Sequence, residues 1–241
     1  MDFYADITFF SPQYGEYKIF NGIGTGIVGF YVDDDNEITL SQKMYLPNGD
    51  FKLRIRFTTG RVPNNLFRGL NVRKVSFSDD MNEVGNYAFA DCQYLEELYL
   101  ESIKKIGHNA FSNNTKLKEV QLLAPLTLVG RCAFSHNTGL RRLYIIHGDE
   151  QKQILSKAFS KCYALEKIIF VGYEGKTNPH HKVVMQDLAF NDDIKLTNDL
   201  EKYKPYIVER TKDNKYLVNK KRIVIERIFY CWLKWPRKIL K

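Results

Sequence analysis

No apolar run in this 241-residue chain reaches the roughly 18 residues that a helix needs to cross a bilayer. The opening stretch, MDFYADITFF, is acidic and lacks the basic start and small-residue cleavage site of a secretory leader. Both absences point to an intracellular protein, with secretion or surface display following only if a leader has been removed. Cysteine is scarce, at Cys92, Cys132, Cys162 and Cys231. None forms a C-x-x-C pair and no histidine sits at zinc-ligand spacing from any of them. A structural zinc site and a disulfide framework are therefore set aside, and reduced, mostly buried thiols are expected. No G-x-S-x-G occurs, no Ser/His/Asp or Cys/His set has a plausible nucleophile turn, and the carboxylates are scattered. Neither an enzyme, a cofactor nor a metal is expected.

A net positive charge is also missing from most of the chain. The formal charge is +8, but residues 202–241 alone carry 13 Lys/Arg against 3 Asp/Glu, so the other 201 residues are net −2. A nucleic-acid reading of the whole protein loses its main support. Against these absences, hydrophobic residues make up 44% and aromatics 14% of the chain, enough for a substantial core and too much for disorder.

The stretch 24-GTGIVG-29 spells G-x-G-x-x-G, which cradles phosphates only when it follows a strand and opens a helix. Here a three-aspartate turn, 33-DDD-35, follows at once and leaves no room for a helical period. Ile23, Thr25 and Ile27 alternate with Gly22, Gly24 and Gly26, a period of two that predicts a strand with a bare face. The nucleotide motif is expected to be a false lead.

Internal repetition is the strongest signal. Four segments align: 85-GNYAFADCQYLEELYL-100, 107-GHNAFSNNTKLKEVQL-122, 130-GRCAFSHNTGLRRLYI-145 and 155-LSKAFSKCYALEKIIF-170. A variant, 63-PNNLFRGLNVRKVSF-77, precedes them and a degenerate copy, 186-QDLAFNDDIKL-196, follows. The anchors Phe67, Phe89, Phe111, Phe134, Phe159 and Phe190 are 22, 22, 23, 25 and 31 residues apart. Three residues after four of them comes Cys92, Asn114, Asn137 or Cys162, each small and able to hydrogen-bond to backbone inside a stack. An L-x-x-L-x-L step then predicts a short strand, as at Leu95, Leu98 and Leu100. The Ala-Phe step predicts a tight helical or 3₁₀ turn that buries the ring between layers.

This pattern resembles the BspA-type leucine-rich repeat over residues 62–196. The resemblance implies an α/β leucine-rich-repeat solenoid, and a family often secreted or displayed on surfaces. Residues 1–61 are expected to form a β-rich N-terminal cap, with 17-YKIFNGIGTGIV-28 and 51-FKLRIRF-57 continuing the sheet. Residues 197–241 are expected to be a basic C-terminal cap or tail. With strands ~4.8 Å apart, six repeats would present a surface on the order of 25–30 Å long.

Three surfaces are candidates for binding another protein or peptide, alone or within a larger assembly; oligomeric state is left open. The first is the outward strand face, with one column running Lys74, Glu97, Glu119, Arg142, Lys167. The next column runs Ser76, Tyr99, Gln121, Tyr144, Ile169. Tyrosines inside a charged ladder suit a protein-binding face, although charged strand residues normally just face water. The second surface is a pair of insertions, 147-HGDEQKQ-153 and 172-GYEGKTNPHHK-182, which carry His147, Tyr173, His180 and His181. With Asp149 those histidines invite a metal reading, but His180 and His181 are adjacent and would diverge in an extended loop, so a solvated loop is expected. The third is 219-NKKRIVIERIFYCWLKWPRKILK-241. Lys220, Lys221, Arg222, Trp232, Lys234, Trp235, Arg237 and Lys238 there suit either a cap helix or an interfacial helix on a membrane, with phosphate or nucleic-acid contact as a further option.

Overall fold

The computed structural model describes residues 3–22, 26–32, 36–39, 41–123, 125–146, 152–173, 183–185, 189, 194–195, 217–218 and 224–230. The N-terminal strands are β1 (Tyr4–Ser11), β2 (Gly15–Lys18), β3 (Ile27–Val32), β4 (Asn36–Ile38), β5 (Lys43–Leu46) and β6 (Gly49–Phe57). Each following coil supplies two short strands. These are β7 (Arg61–Val62) and β8 (Val72–Phe77), β9 (Glu83–Val84) and β10 (Glu97–Leu98), then β11 (Lys105–Ile106) and β12 (Glu119–Leu122). Next come β13 (Leu128–Val129) and β14 (Arg142–Ile146), and β15 (Lys152–Ile154) and β16 (Lys167–Tyr173). The last strands are β17 (Val183–Met185), β18 (Ile194–Lys195), β19 (Leu217–Val218) and β20 (Val224–Tyr230).

Stacking produces two rows. One is a parallel six-stranded sheet, β7-β9-β11-β13-β15-β17, which the apolar residue ahead of each repeat segment builds. Val62, Val84, Ile106, Val129 and Ile154 from it are fully buried. The L-x-x-L-x-L strands form the other row. Its inward residues Val75, Val120, Leu122, Leu143 and Ile145 join the same core. Between the rows the anchor rings stack on one another: Phe67–Phe89, Phe89–Phe111, Phe111–Phe134 and Phe134–Phe159 have centroids 4.9, 5.4, 5.3 and 5.3 Å apart.

The Ala-Phe step is not helical, and no helix occurs among the described residues. The α/β expectation is thus corrected to an all-β solenoid for this part of the chain. The reason lies in the backbone. N–H groups two before, at and two after Phe67, Phe89, Phe111 and Phe134 donate to the next coil, as in Tyr87 to His108 (2.9 Å), Phe89 to Ala110 (2.8 Å) and Asp91 to Ser112 (2.9 Å). A helix would turn those donors back on its own carbonyls. The chain instead turns its corners through left-handed residues two before and two after each ring: Asn65 and Gly69, Tyr87 and Asp91, Asn109 and Asn113, Cys132 and His136, Lys157 and Lys161. Asn, Asp, Gly and His, which tolerate that conformation best, fill six of these ten places.

The Cys/Asn position behaves as the repeat reading requires. Cys92 Sγ donates to the Phe67 carbonyl at 3.1 Å, Cys162 Sγ to Phe134 at 3.2 Å, and Asn137 Nδ2 to Phe111 at 3.1 Å. Burial pushes both thiols up to about 12, so they stay protonated and serve as donors. Asn114 Nδ2 donates to Phe89 and Phe111, both at 3.0 Å, but its buried Oδ1 has no hydrogen-bond partner.

At the N-terminal side, β1 lies between β6 and β8, antiparallel to both, so the first repeat strands belong to a six-stranded sheet β10-β8-β1-β6-β3-β4. The strand expected over 17–28 does not run through residues 19–22, and residues 23–25 lie outside the described residues. Residues 15–18 pair with β5 in a separate ribbon, Ile19 and Phe20 turn into the core, and the next strand starts at Ile27. A strand, β3, begins inside the G-x-G-x-x-G stretch at Ile27 and continues past it, so the helix N-terminus that motif needs is absent there. Asn21 lies over the first coil: its N–H donates to the Leu66 carbonyl (2.7 Å) and its Nδ2 to those of Asn65 (3.0 Å) and Arg68 (2.9 Å).

Two departures from a uniform stack affect the strand face. No ladder joins β10 to β12, so the row divides into the mixed sheet and a second sheet, β12-β14-β16-β20. And β20 is a strand, parallel to β16 over seven residue pairs, where a helix was expected across 219–241.

Candidate protein-binding face

The register places the predicted columns as the repeat spacing requires. Lys74 pairs with Glu97, Glu119 with Arg142, Arg142 with Lys167, Gln121 with Tyr144, and Tyr144 with Ile169. Alternation then sets Lys74, Glu97, Glu119, Gln121, Arg142 and Tyr144 on the side opposite Val75, Val120 and Leu143, which are buried, while the side chains of Lys167 and Ile169 lie outside the described residues.

Each half of the divided face is organised around one glutamate. Glu97 Oε2 accepts from Lys74 Nζ at 3.0 Å and from the Tyr99 hydroxyl at 2.9 Å, while the Lys74 ammonium lies 5.1 Å from the Tyr99 ring centroid. The Lys74 contact, then the Tyr99 hydroxyl, holds the Glu97 carboxyl below its ordinary value. Burial first, and Glu97 second, pushes Tyr99 up to about 12. Near neutral pH the pair is therefore fixed as a carboxylate and a neutral phenol. On the other half, Glu119 accepts from Arg142 Nε at 2.9 Å and from Gln121 Nε2 at 3.0 Å. The two carboxylates occupy the same column on either side of the ladder break, and each is held by a cation on the side away from the other. Such solvent-facing pairs stabilise the fold by at most about 1 kcal/mol. Their consequence is an arrangement of charge and aromatic surface in which neighbouring side chains contact one another in the free chain.

The face also extends beyond the repeats. Asp6 and Thr8 of β1 pair with Ser76 and Lys74, and Arg54 of β6 pairs with Asp6. Arg54 makes a two-pronged contact with Asp6 (2.8 and 3.1 Å) and its guanidinium lies 4.2 Å from the Tyr4 ring centroid. Lys52 reaches Asp6 at 3.4 Å. The alternation in 4-YADITFFS-11 is the sequence signal for that extension.

His147, Asp149, His180 and His181 lie outside the described residues, as do Lys220, Lys221, Arg222, Trp232, Lys234, Trp235, Arg237 and Lys238. Tyr173 ends β16, its backbone in register with Tyr230. Among the described residues no group of three or more His, Cys, Asp or Glu is placed to hold a metal ion, and no helix is long and apolar enough to cross a membrane. One residue of the first insertion departs from the expected solvated loop. Lys152 is 2% exposed in β15, and its Nζ donates to the Leu123 carbonyl at 2.7 Å and to that of Leu126. No carboxylate accompanies it in these contacts, and burial pulls its ammonium down to about 7. The ammonium tip on a strand flank gave no sequence cue for this.

A family model described as the BspA type leucine rich repeat region matches residues 52–176 in six copies. The chain belongs to this family. No curated protein matches it. Among solved structures, the crystal structure of the pneumococcal vaccine antigen PcpA is similar at 20% identity and a TM-score of 0.45, covering 64% of this chain. This chain spans 40% of that one's length. The repeat family thus accounts for the stacked coils that carry the strand face.

Proposed function

We propose that this chain is a noncatalytic protein-binding module whose contact surface is the outward strand face. The observation that carries the proposal is the pair of ordered clusters, Lys74–Glu97–Tyr99 and Gln121–Glu119–Arg142, set in register on a rigid stack. Fixed tyrosine and arginine groups are the residue types that dominate binding energy at protein interfaces, and rigid coils present them without a folding cost on association. In this reading residues 1–61 close the N-terminal end of the stack, with Asn21 supplying donors to the first coil's carbonyls. Residues 197–241 close the other end, and the insertion loops flank the contact surface.

The test compares partner recovery by wild type, by Tyr99→Ser/Arg142→Glu, and by Glu83→Lys on the opposite sheet, using quantitative mass spectrometry. A protein recovered by wild type and by Glu83→Lys, and lost with Tyr99→Ser/Arg142→Glu, supports the face. Equal recovery by all three variants would sink it. Repeating the comparison at several salt concentrations separates this reading from binding through the basic C-terminal residues. Contacts to phosphate or anionic lipid weaken steeply with ionic strength, whereas a nearly neutral face changes little.

A further inference from the structure

The sixth coil is composite, and its composition points to a way for two copies to combine. Along the β12-β14-β16-β20 sheet, paired residues are 23 apart between Glu119 and Arg142, and 25 apart between Arg142 and Lys167. The next pair, Lys167 with Val224, is 57 apart. The strand beside β16 is therefore not the next turn of the solenoid. The sixth coil does take its other places: β17 continues the opposite sheet, and the Ala189 carbonyl accepts from the Phe159 N–H at 2.7 Å. Its own next segment, β18, pairs instead with β19 in an antiparallel ribbon. The slot beside β16 is left to β20. That slot supports seven paired residues, against five for β14–β16 and four for β12–β14.

We infer that the β16 edge is a strand-acceptor slot whose occupant is exchangeable, so that β20 of a second copy takes the place of the chain's own and two copies form a reciprocally swapped dimer. The second copy is the occupant because 224–230 is the sequence already seated in the slot, and an identical chain carries it. The paired backbone atoms are the same in either arrangement. Because β17 and Ala189 stay on the chain's own coils, own-chain and exchanged forms differ mainly in the closure of the 34 residues between Ala189 and Val224, set against protein concentration. A stretch of 34 residues is also long enough to let β20 reach a neighbouring copy.

The experiment uses the full chain with a photo-crosslinking benzoylphenylalanine in place of Tyr173, which is in register with Tyr230. Equal parts of unlabelled and ¹⁵N-labelled protein are incubated together over a concentration series and irradiated. Monomer and dimer fractions are then digested separately. Exchange predicts a dimer fraction that grows with concentration, with about half of its 173-to-224–230 crosslinks of mixed label, and only same-label crosslinks in the monomer. Ile225→Pro/Ile228→Pro places one proline on each edge of β20, so one of them removes a donor facing β16. This variant should lose both the dimer and the crosslink while keeping the strand signal of the coils. The inference is overturned if no dimer appears at any concentration, if crosslinks in the dimer are all same-label, or if they lead to a different segment or protein. Persistence of the dimer in the double-proline variant would overturn it equally.

Discussion

Replacing Lys152 by methionine keeps the length of the aliphatic stem and removes its amine, which isolates what burying that amine costs. In the folded chain burial brings the ammonium down to about 7 from an ordinary 10.5. At 1.36 kcal/mol per pH unit, that gap corresponds to a cost of about 5 kcal/mol, felt in full where the folded state must keep the charge. Below pH 7 both folded and unfolded chains bind the proton, and the cost is complete. Between pH 7 and 10.5 the unfolded chain binds more protons than the folded one, so stability rises with pH and the cost fades. Above 10.5 it has gone. Methionine is free of this cost but leaves the Leu123 and Leu126 carbonyls without their donor, a loss of about 1–3 kcal/mol for each buried acceptor. The net difference at any one pH is therefore small or of either sign, and its pH dependence is the cleaner readout. Urea unfolding followed by circular dichroism, run on both proteins at pH 7 and 9, should show wild type gaining about 2 kcal/mol on Lys152→Met between the two. All other titrating groups cancel in that difference. Parallel profiles would refute the reasoning, because they would mean that Lys152 is solvated and charged in the fold.

Phe111→Ala empties the centre of the ring stack and should cost about 3–5 kcal/mol in the same unfolding assay. Gly107→Ala would put a Cβ 2.6 Å from Asn86 Oδ1 and 2.7 Å from Asn86 N in the preceding coil, and is expected to destabilise by about 1–3 kcal/mol. Asn114→Cys should be tolerated within about 1 kcal/mol, because cysteine fills that position in the preceding coil, at Cys92, and removes the unpaired Oδ1, whereas Asn114→Ala strips donors from two buried carbonyls and should cost about 2 kcal/mol or more. Lys74→Ala breaks a surface pair and should cost less than about 1 kcal/mol, leaving the fold intact for binding measurements.

The repeated coils were legible because each residue type answers a local demand that recurs at a fixed interval. Phe at the anchor, Cys or Asn three places on, and alternating Leu or Val all report burial or a backbone acceptor one coil away. The turn conformation was less legible. Tyr87, Cys132 and Lys157 are not residues that announce a left-handed backbone, and only the inter-coil hydrogen bonds make it necessary there. The second sheet rested on a single apolar residue per coil, such as Val84 or Ile106, too short a signal to count as a strand by alternation. β1 was missed although its burial alternates without a break, because its partners lie about 50 and 70 residues away. The strand face was readable as columns, since Glu97, Glu119 and Arg142 follow from the repeat register. Its division between β10 and β12, and its extension onto Asp6 and Arg54, depend on pairing that no local pattern encodes.

The central claim, that the strand face is the binding surface, is tested most directly by crosslinking mass spectrometry on the protein isolated gently from its native host. The account predicts that one recurrent protein is linked to lysines on that face, Lys74 and Lys52 among them, and that the links survive added salt. Links confined to Lys105 on the opposite sheet, or to Lys220–Lys241 with loss of the co-purifying material at high salt, would contradict it and move the function off the repeats.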